Sequence, residues 1–561
     1  GSEMCIRDSI NSRPIISALS GVYGLEQIPT NMIDRVEVVR GGGSALFGAN
    51  AVGGTINIIT KDPINNSFQV SSTLSNLGGK AWEQYMGANV SLVAKDNSYG
   101  IAMYQSYRNR NPYDHDGDSF SELGLLNLNT FGLRAYYRPT QFSRLNVEYH
   151  TTNELRRGGN KFDLQPHQTD ITEQTKHIIN SGGISYDHFW DEYKHKLSAY
   201  GSIQHTDRDS YYGAQRDTAA YGKTDDLTWV AGAMYVGNYK RFLFAPSTFT
   251  GGLEYQHNAL HDIMVGYQRD MMQDVRIASA FVQNEWKLRD FTLLAGGRMD
   301  KHNLIESPIL SPRVNLLYKP QDKFQARVTY STGFRAPQAY DEDLHVTAVG
   351  GEGVLIKLAD GLREERSNSF SGSVDLSGQI GHFQTNLLVE GFYTSLKDVF
   401  YLQNVGVDNQ GNTLQERRNG SGAKVYGVNI DGKIAHGRDA SLQVGFTVQR
   451  SRYDELTYWS EDESVAGTKN MPRTPNCYGY FTFTAAPTDN FDFSLSGVYT
   501  GRMHVPHFAP VDDIPVDFPY TYIAKDELYH TPDFFDFNTK LNYTFVLNEH
   551  LKLQVNGGVQ N

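Results

Sequence analysis

Two cysteines, Cys5 and Cys477, are all that the 561 residues contain, so no disulfide framework organises the chain. No run of 18 or more apolar residues occurs, which excludes a helical membrane span. Basic residues are the minority, 51 Lys and Arg against 63 Asp and Glu, for a net charge of −12. With no basic stripe either, nucleic acid is excluded as a partner. G-x-S-x-G, P-loop and H-E-x-x-H patterns are absent, so no enzyme is expected. No fixed repeat of 20–50 residues stands out, which argues against a solenoid or propeller. Residues 1–9 (GSEMCIRDS) fit no signal peptide and are expected to be a non-native leader.

A transmembrane β-barrel survives these exclusions. Its strands alternate lipid-facing and lumen-facing side chains, which hides their hydrophobicity from any average. A mean hydropathy of −0.48 is therefore no obstacle. The 34 tyrosines and 29 phenylalanines suit interfacial girdles, and 53 glycines supply turns. From Ser67 onward, alternating segments of about ten residues recur, the length a tilted spanning strand requires. The first are Ser67 to Asn76, Glu83 to Ala94, Ser98 to Arg108, Leu125 to Arg138 and Phe142 to Thr152. Short turns fall at Lys95 to Asn97, Pro139 to Gln141, Trp190 to Glu192, Lys319 to Asp322, Ala435 to Asp439 and Pro487 to Asn490. Long loops are expected at 109–124, 153–175, 207–226, 258–274, 333–365, 397–418, 453–472 and 501–531. Short turns on one rim and long loops on the other are how outer-membrane barrels are built. This reading counts about 21 strands where such barrels carry an even number, so one strand is expected to be lost at the C-terminus.

One stretch does not belong to that rhythm. Ile33 to Lys61 reads IDRVEVVRGGGSALFGANAVGGTINIITK: a β-branched strand, a glycine run, a small-residue patch, and a second strand stopped at Lys61-Asp62-Pro63. It resembles, almost position for position, the end of the plug domain of TonB-dependent outer-membrane receptors. The glycines Gly41, Gly43, Gly48, Gly53 and Gly54 form the plug turn. Gly42 departs from the pattern, since the family usually carries proline there. SPRVNLLYKP (Ser311 to Pro320), YSTGFRAP (Tyr330 to Pro337), VYGVNIDG (Val425 to Gly432) and FFDFNTKLNYTF (Phe534 to Phe545) resemble further landmarks, in the family's order. The resemblance implies an all-β fold: a large antiparallel transmembrane barrel, about 22 strands when intact, with the C-terminal part of a plug inside its lumen. The expected divisions are 1–9 leader, 10–66 plug and 67–561 barrel.

The same resemblance implies the candidate sites. Charged plug residues Arg35, Glu37 and Arg40 are expected to pair with barrel-wall charges as a latch; satisfied interface charges are the bland alternative. Asp114, Asp116, Asp118 and Glu122 cluster in an acidic loop, as a hard cation such as Ca²⁺ needs. The glycine and twelfth-position pattern of an EF-hand is missing, so the choice lies between a structural calcium site and a solvated acidic loop. Arg335, Tyr340, Asp341, Asp343 and His345 crowd the FRAP loop, where haem receptors carry a ligand histidine. Loop aromatics Tyr211, Tyr212, Tyr221, Tyr267, Tyr458 and Trp459 offer stacking surfaces, or else pack the loops together. The remaining histidines, among them His205, His257, His261, His504 and His507, show no metal-site spacing.

The resemblance implies a receptor of the bacterial outer membrane that takes up a scarce, large ligand: a corrinoid such as cobalamin, a ferric siderophore or, as second choice, haem. No cofactor is required beyond the calcium site. The implied partners are TonB with its inner-membrane energising complex, engaged through an N-terminal box absent from this sequence. Outer-membrane lipid, the small-molecule ligand and a surface lipoprotein complete the set. The competing reading is a passive channel or a surface-binding barrel without TonB coupling, for which the plug stretch has no use.

Overall fold

The computed structural model describes residues 6–10, 13–14, 27–49, 51–337, 354–409, 411, 413–460, 464–507, 509 and 525–561. From Ser67 the chain forms one closed barrel. Among the described residues it comprises 21 long strands and one three-residue strand, Thr468–Asn470. The long strands follow one another in antiparallel register from Ser67–Leu77 to Lys552–Val559, and these two are neighbours at the closing seam. Twenty-one being odd, the two seam strands run in the same direction. Both are exposed along almost their whole length.

Alternation decides which side chains face where. Along Ala245–Met264, Gln256, Asn258 and Asp262 are buried toward the lumen, while Leu253 on the opposite parity is 65% exposed. Val328 and Ile380 are exposed in the same way. Polar inside and apolar outside inverts the soluble-protein pattern and is what a lipid-facing barrel requires.

The wall is not level. Strands between Leu125 and Leu288 are 16 to 22 residues long, whereas Phe291–His302, Ile309–Gln321 and Phe324–Arg335 have 12 or 13. At about 3.3 Å per residue and a tilt near 40°, the 22-residue strand reaches about 55 Å along the barrel axis and the 12-residue strands about 30 Å. Three of the expected long loops, 153–175, 207–226 and 258–274, are therefore mostly strand. Ser143–Gly159, Ile171–Trp190, His195–Ala214, Tyr221–Phe242, Ala245–Met264 and Arg269–Leu288 continue their ladders through them. Above the bilayer both faces of a strand meet water or protein, so the apolar alternation stops although the hydrogen bonding does not. The 397–418 loop likewise holds its own sheet, Phe400–Val407 with Thr413–Asn419 and Val354–Leu358.

The plug sheet has Ile33–Arg40 antiparallel to Gly54–Thr60. Ile6–Ile10, expected to lie in a leader, runs parallel to Gly54–Thr60, so the plug sheet starts before residue 10. A four-residue helix, Ser44–Phe47, turns the chain between the two strands. Plug residues touch opposite arcs of the ring. Asn31 bonds Asn89 and the Gln105 carbonyl, and Gly42 and Ser44 bond Ser369 and Phe334. The plug therefore sits within the lumen. Its apolar contacts cross the boundary: Ala49 packs with Val275, Ile277, Ile309 and Phe334, and Ile58 with Met32 and Tyr104.

Candidate functional site

Gly42 and Gly333 bring the plug turn and the barrel wall into backbone contact. A Cβ on Gly42 would lie 2.5 Å from the carbonyl carbon of Thr332, and one on Gly333 would lie 2.7 Å from the Cα of Val52. The Gly42 N–H also donates to Ser369 Oγ at 3.1 Å. Proline at position 42 would overlap the Thr332 backbone and remove that donor. Two more hydrogen bonds cross the same seam: Phe334 N–H to Ser44 Oγ at 3.1 Å, and Ser367 Oγ to the Val52 carbonyl at 2.9 Å.

Of the three charged plug residues, Arg40 reaches the wall. Its guanidinium pairs with Glu390 at 3.2 Å. Glu390 is held by Asn429 Nδ2 at 3.1 Å, and the Asn429 carbonyl oxygen accepts from Thr447 at 2.8 Å. These three wall residues are direct cross-strand partners, so one row of side chains presents the carboxylate. Arg40 is 58% exposed and Glu390 18%, so solvent screens the pair. Arg35 and Glu37 do not reach the wall: Arg35 pairs with Glu37 at 2.9 Å and with Asp34 at 3.1 Å, and Glu37 also accepts from Asn57. On a strand, positions 35 and 37 share one face, so they satisfy each other.

Beside Arg40 lies a cavity of about 360 Å³. Arg40, Gly41, Val52 and Gly53 line it from the plug, and Ser369, Glu390, Asn429, Thr447 and Tyr480 from the wall. On this flank the plug leaves the lumen unfilled.

The opposite flank carries an anchor that sequence reading did not single out. Asp62, where plug passes into barrel, lies between Arg134 at 2.7 Å and Arg144 at 3.1 Å, and Arg134 also pairs with Glu148 at 3.4 Å. Nearby, Gln27 donates to the buried Glu154 at 3.2 Å, itself beside His177 and Arg156. The plug is thus fastened by several charged contacts on the Asp62 side and by one screened pair at Arg40.

Arg335, expected in the FRAP loop, instead ends the strand Phe324–Arg335 opposite Glu365, where it is buried, paired with Glu365 at 3.4 Å and stacked over Phe400 at 5.4 Å. Tyr340, Asp341, Asp343 and His345 lie outside the described residues. Tyr211 and Tyr212 are buried, and Tyr211 packs with Ala220, Met264 and Tyr267 at the hairpin tips. Tyr211 and Tyr267 both donate to Asp217. Burial, and then Asp217, raises the Tyr267 phenol well above its usual range, so it stays a donor. These rings hold the tips together rather than offering stacking faces. Tyr221 and Tyr458 are exposed, and Trp459 is half-buried.

Asp114, Asp116, Asp118 and Glu122 come together, with one carboxylate oxygen from each within 4.8 Å of the others. That is a donor set a hard divalent cation accepts. The same carboxylates already accept backbone N–H groups: Asp114 from Gly117 and Ser119, Asp118 from Phe120, and Glu122 from His115. Lys80 Nζ bonds the carbonyls of Asp114 and His115 at 2.9 and 3.0 Å.

The family described as "TonB dependent receptor-like, beta-barrel" matches residues 57–561, and "TonB-dependent Receptor Plug Domain" matches residues 8–55. The chain is similar to the iron-regulated outer membrane virulence protein of Vibrio cholerae serotype O1. The two are 24% identical over 544 residues, covering 91% of this chain and 76% of the relative. The vitamin B12 transporter BtuB of Vibrio cholerae serotype O1 is 34% identical over 87 residues, 15% of this chain and 14% of that one. Among solved structures, the siderophore receptor PirA from Acinetobacter baumannii superposes with a TM-score of 0.75 at 17% identity, covering 99% of this chain and 86% of that one. A mutant ferric enterobactin receptor, PfeA, from Pseudomonas aeruginosa in complex with enterobactin gives 0.77 at 15%, covering 100% and 86%. At these identities the likeness shows the fold.

Proposed function

Because the protein belongs to the TonB-dependent receptors of the bacterial outer membrane, we propose that its cargo is a ferric siderophore and that TonB-driven withdrawal of the plug opens the way for it. The observation that carries the gating half is the plug's fastening. A folded body occupies the lumen, and on the flank beside the cavity the screened pair Arg40–Glu390 ties it to the wall; such a pair holds position while remaining separable. The relatives carry the cargo half: the iron-regulated protein spans most of the chain, and two neighbours in fold are siderophore receptors. The cobalamin reading draws on a much shorter stretch. In this reading the protein performs no chemistry of its own. It changes access and affinity between two plug states.

In that scheme Arg40 and Glu390 part early, because theirs is the screened pair and the cavity lies beside it. The Asp114 loop takes a calcium ion that stiffens the rim. The test is equilibrium binding to the purified protein in detergent with ferric catecholate and ferric hydroxamate siderophores, cyanocobalamin and haemin. It is paired with radiolabelled iron uptake in cells with and without TonB. Saturable binding of one ferric siderophore with TonB-dependent uptake is expected. Binding of cyanocobalamin or haemin alone would refute the cargo assignment.

A further inference from the structure

Past the strand Phe491–Thr500, on the rim that bears the long loops, His504–His507 and Glu527–His530 form a two-stranded antiparallel ribbon. His504 is directly opposite His530. Opposed residues share a face with Cβ atoms about 5 Å apart. The two imidazole rings lie 4.1 Å apart between centroids, inclined at 53°. In sequence the two residues stand 26 positions apart, so no short motif announces them; only the ribbon's register joins them.

Two features of His504 go beyond a chance ring contact. Its Nδ1 is buried without a hydrogen-bond partner. Its Nε2 lies 3.4 Å from the side-chain amide of Asn470. An asparagine amide presents oxygen or nitrogen by a simple flip. With Oδ1 toward the ring, Nε2–H donates to it and Nδ1 presents its lone pair, the arrangement that orients metal-bound histidines.

We propose that His504 and His530 chelate a divalent transition-metal ion at the cell surface, with Cu²⁺ preferred over Ni²⁺ and Zn²⁺. Two imidazoles suit these ions, and the order follows the Irving–Williams series. A bond of about 2.0–2.1 Å from each ring to one ion requires the two rings to turn a nitrogen each toward a common point between them. Water fills the remaining positions. Asn470 belongs to Thr468–Asn470, which pairs with the barrel strand through Arg452. Arg473 N–H also donates to the His504 carbonyl at 2.7 Å. Metal binding therefore pins the ribbon to the barrel rim. The site uses none of the plug contacts and is independent of the cargo.

The test uses the full chain in detergent, stripped with chelator, titrated with CuCl₂ by calorimetry and read by electron paramagnetic resonance. The wild type is expected to show a tight site with hyperfine structure from two imidazole nitrogens. His504→Ala and His530→Ala should each weaken it about tenfold or more, the scale on which metal-site partners act, and reduce the signal to one nitrogen. His205→Ala, whose ring pairs with Asp225, should leave it unchanged. Heat-modifiable gel mobility checks that each barrel is folded, and His530→Gln provides a second variant with little change in volume. Equal copper affinity in the wild type and in the His504→Ala/His530→Ala double variant would overturn the proposal.

Discussion

Replacing Gly333 by alanine tests how the plug is held. The new methyl group would overlap the Ala51 carbonyl and sit 2.7 Å from the Val52 Cα, against the 3.4 Å at which ordinary contact begins. Both obstacles are backbone, so no side chain can swing aside. Plug and wall must part by at least about 0.7 Å, the overlap with the Ala51 carbonyl being the larger of the two. The three hydrogen bonds across this seam are 3.1, 3.1 and 2.9 Å long, and such a displacement takes them beyond bonding distance. At about 0.5–1.5 kcal/mol each, the docked state loses about 2–4 kcal/mol. That is a shift of about 30-fold to 1,000-fold in the docked-to-loosened ratio. Hydrogen exchange at the amides of residues 42–54 reads it directly, and small-solute leak through reconstituted protein reads it functionally. Gly432→Ala is the control, since its Cβ would meet nothing within 4 Å. If Gly333→Ala leaves exchange and leak at the level of Gly432→Ala, the backbone contact does not fasten the plug.

Other perturbations order the anchors. Gly42→Pro should raise exchange across the plug turn about as much as Gly333→Ala, because its ring overlaps the Thr332 backbone and the donor to Ser369 is removed; wild-type protection would show that the turn re-forms without it. Asp62→Asn leaves Arg134 and Arg144 facing each other, and should loosen the plug by about 1–2 kcal/mol after allowing for the partial exposure of Asp62. Arg40→Gln should cost about 0.5–1 kcal/mol, as exposed pairs do; a larger effect on exchange than that of Asp62→Asn would reverse the proposed order of release. Calcium titration of the wild type should give heat that Asp114→Asn/Asp118→Asn abolishes, and a flat wild-type titration would leave the acidic loop to its own N–H groups.

Sequence reading reached the architecture because alternation and short turns are local. The turns at Trp190, Lys319, Ala435 and Pro487 all fall within two residues of the observed strand ends. Strand length above the bilayer was hidden, since Thr224, Asp226 and Lys223 look like loop residues whichever way they face. Arg40 was visible as a plug charge, but nothing in the chain distinguishes Glu390 from the other 62 acids until the register places it opposite Asn429. Asp62 was read as part of a stop, Lys61-Asp62-Pro63. Its arginines stand more than 70 positions away. Tyr211 looked like a recognition aromatic because its burial at a hairpin tip depends on Met264 and Tyr267, which come from the next hairpin.

The unequal height of the wall sets what the cell displays to its surroundings. Along the tall arc, an antibody or a phage tail meets a stiff, fully laddered surface whose neighbouring residues come from different strands. A binder raised against that arc would read conformation and fail on a denatured blot. Cleavage by an external protease would fall on the low side of the rim, where the spans just clear the lipid.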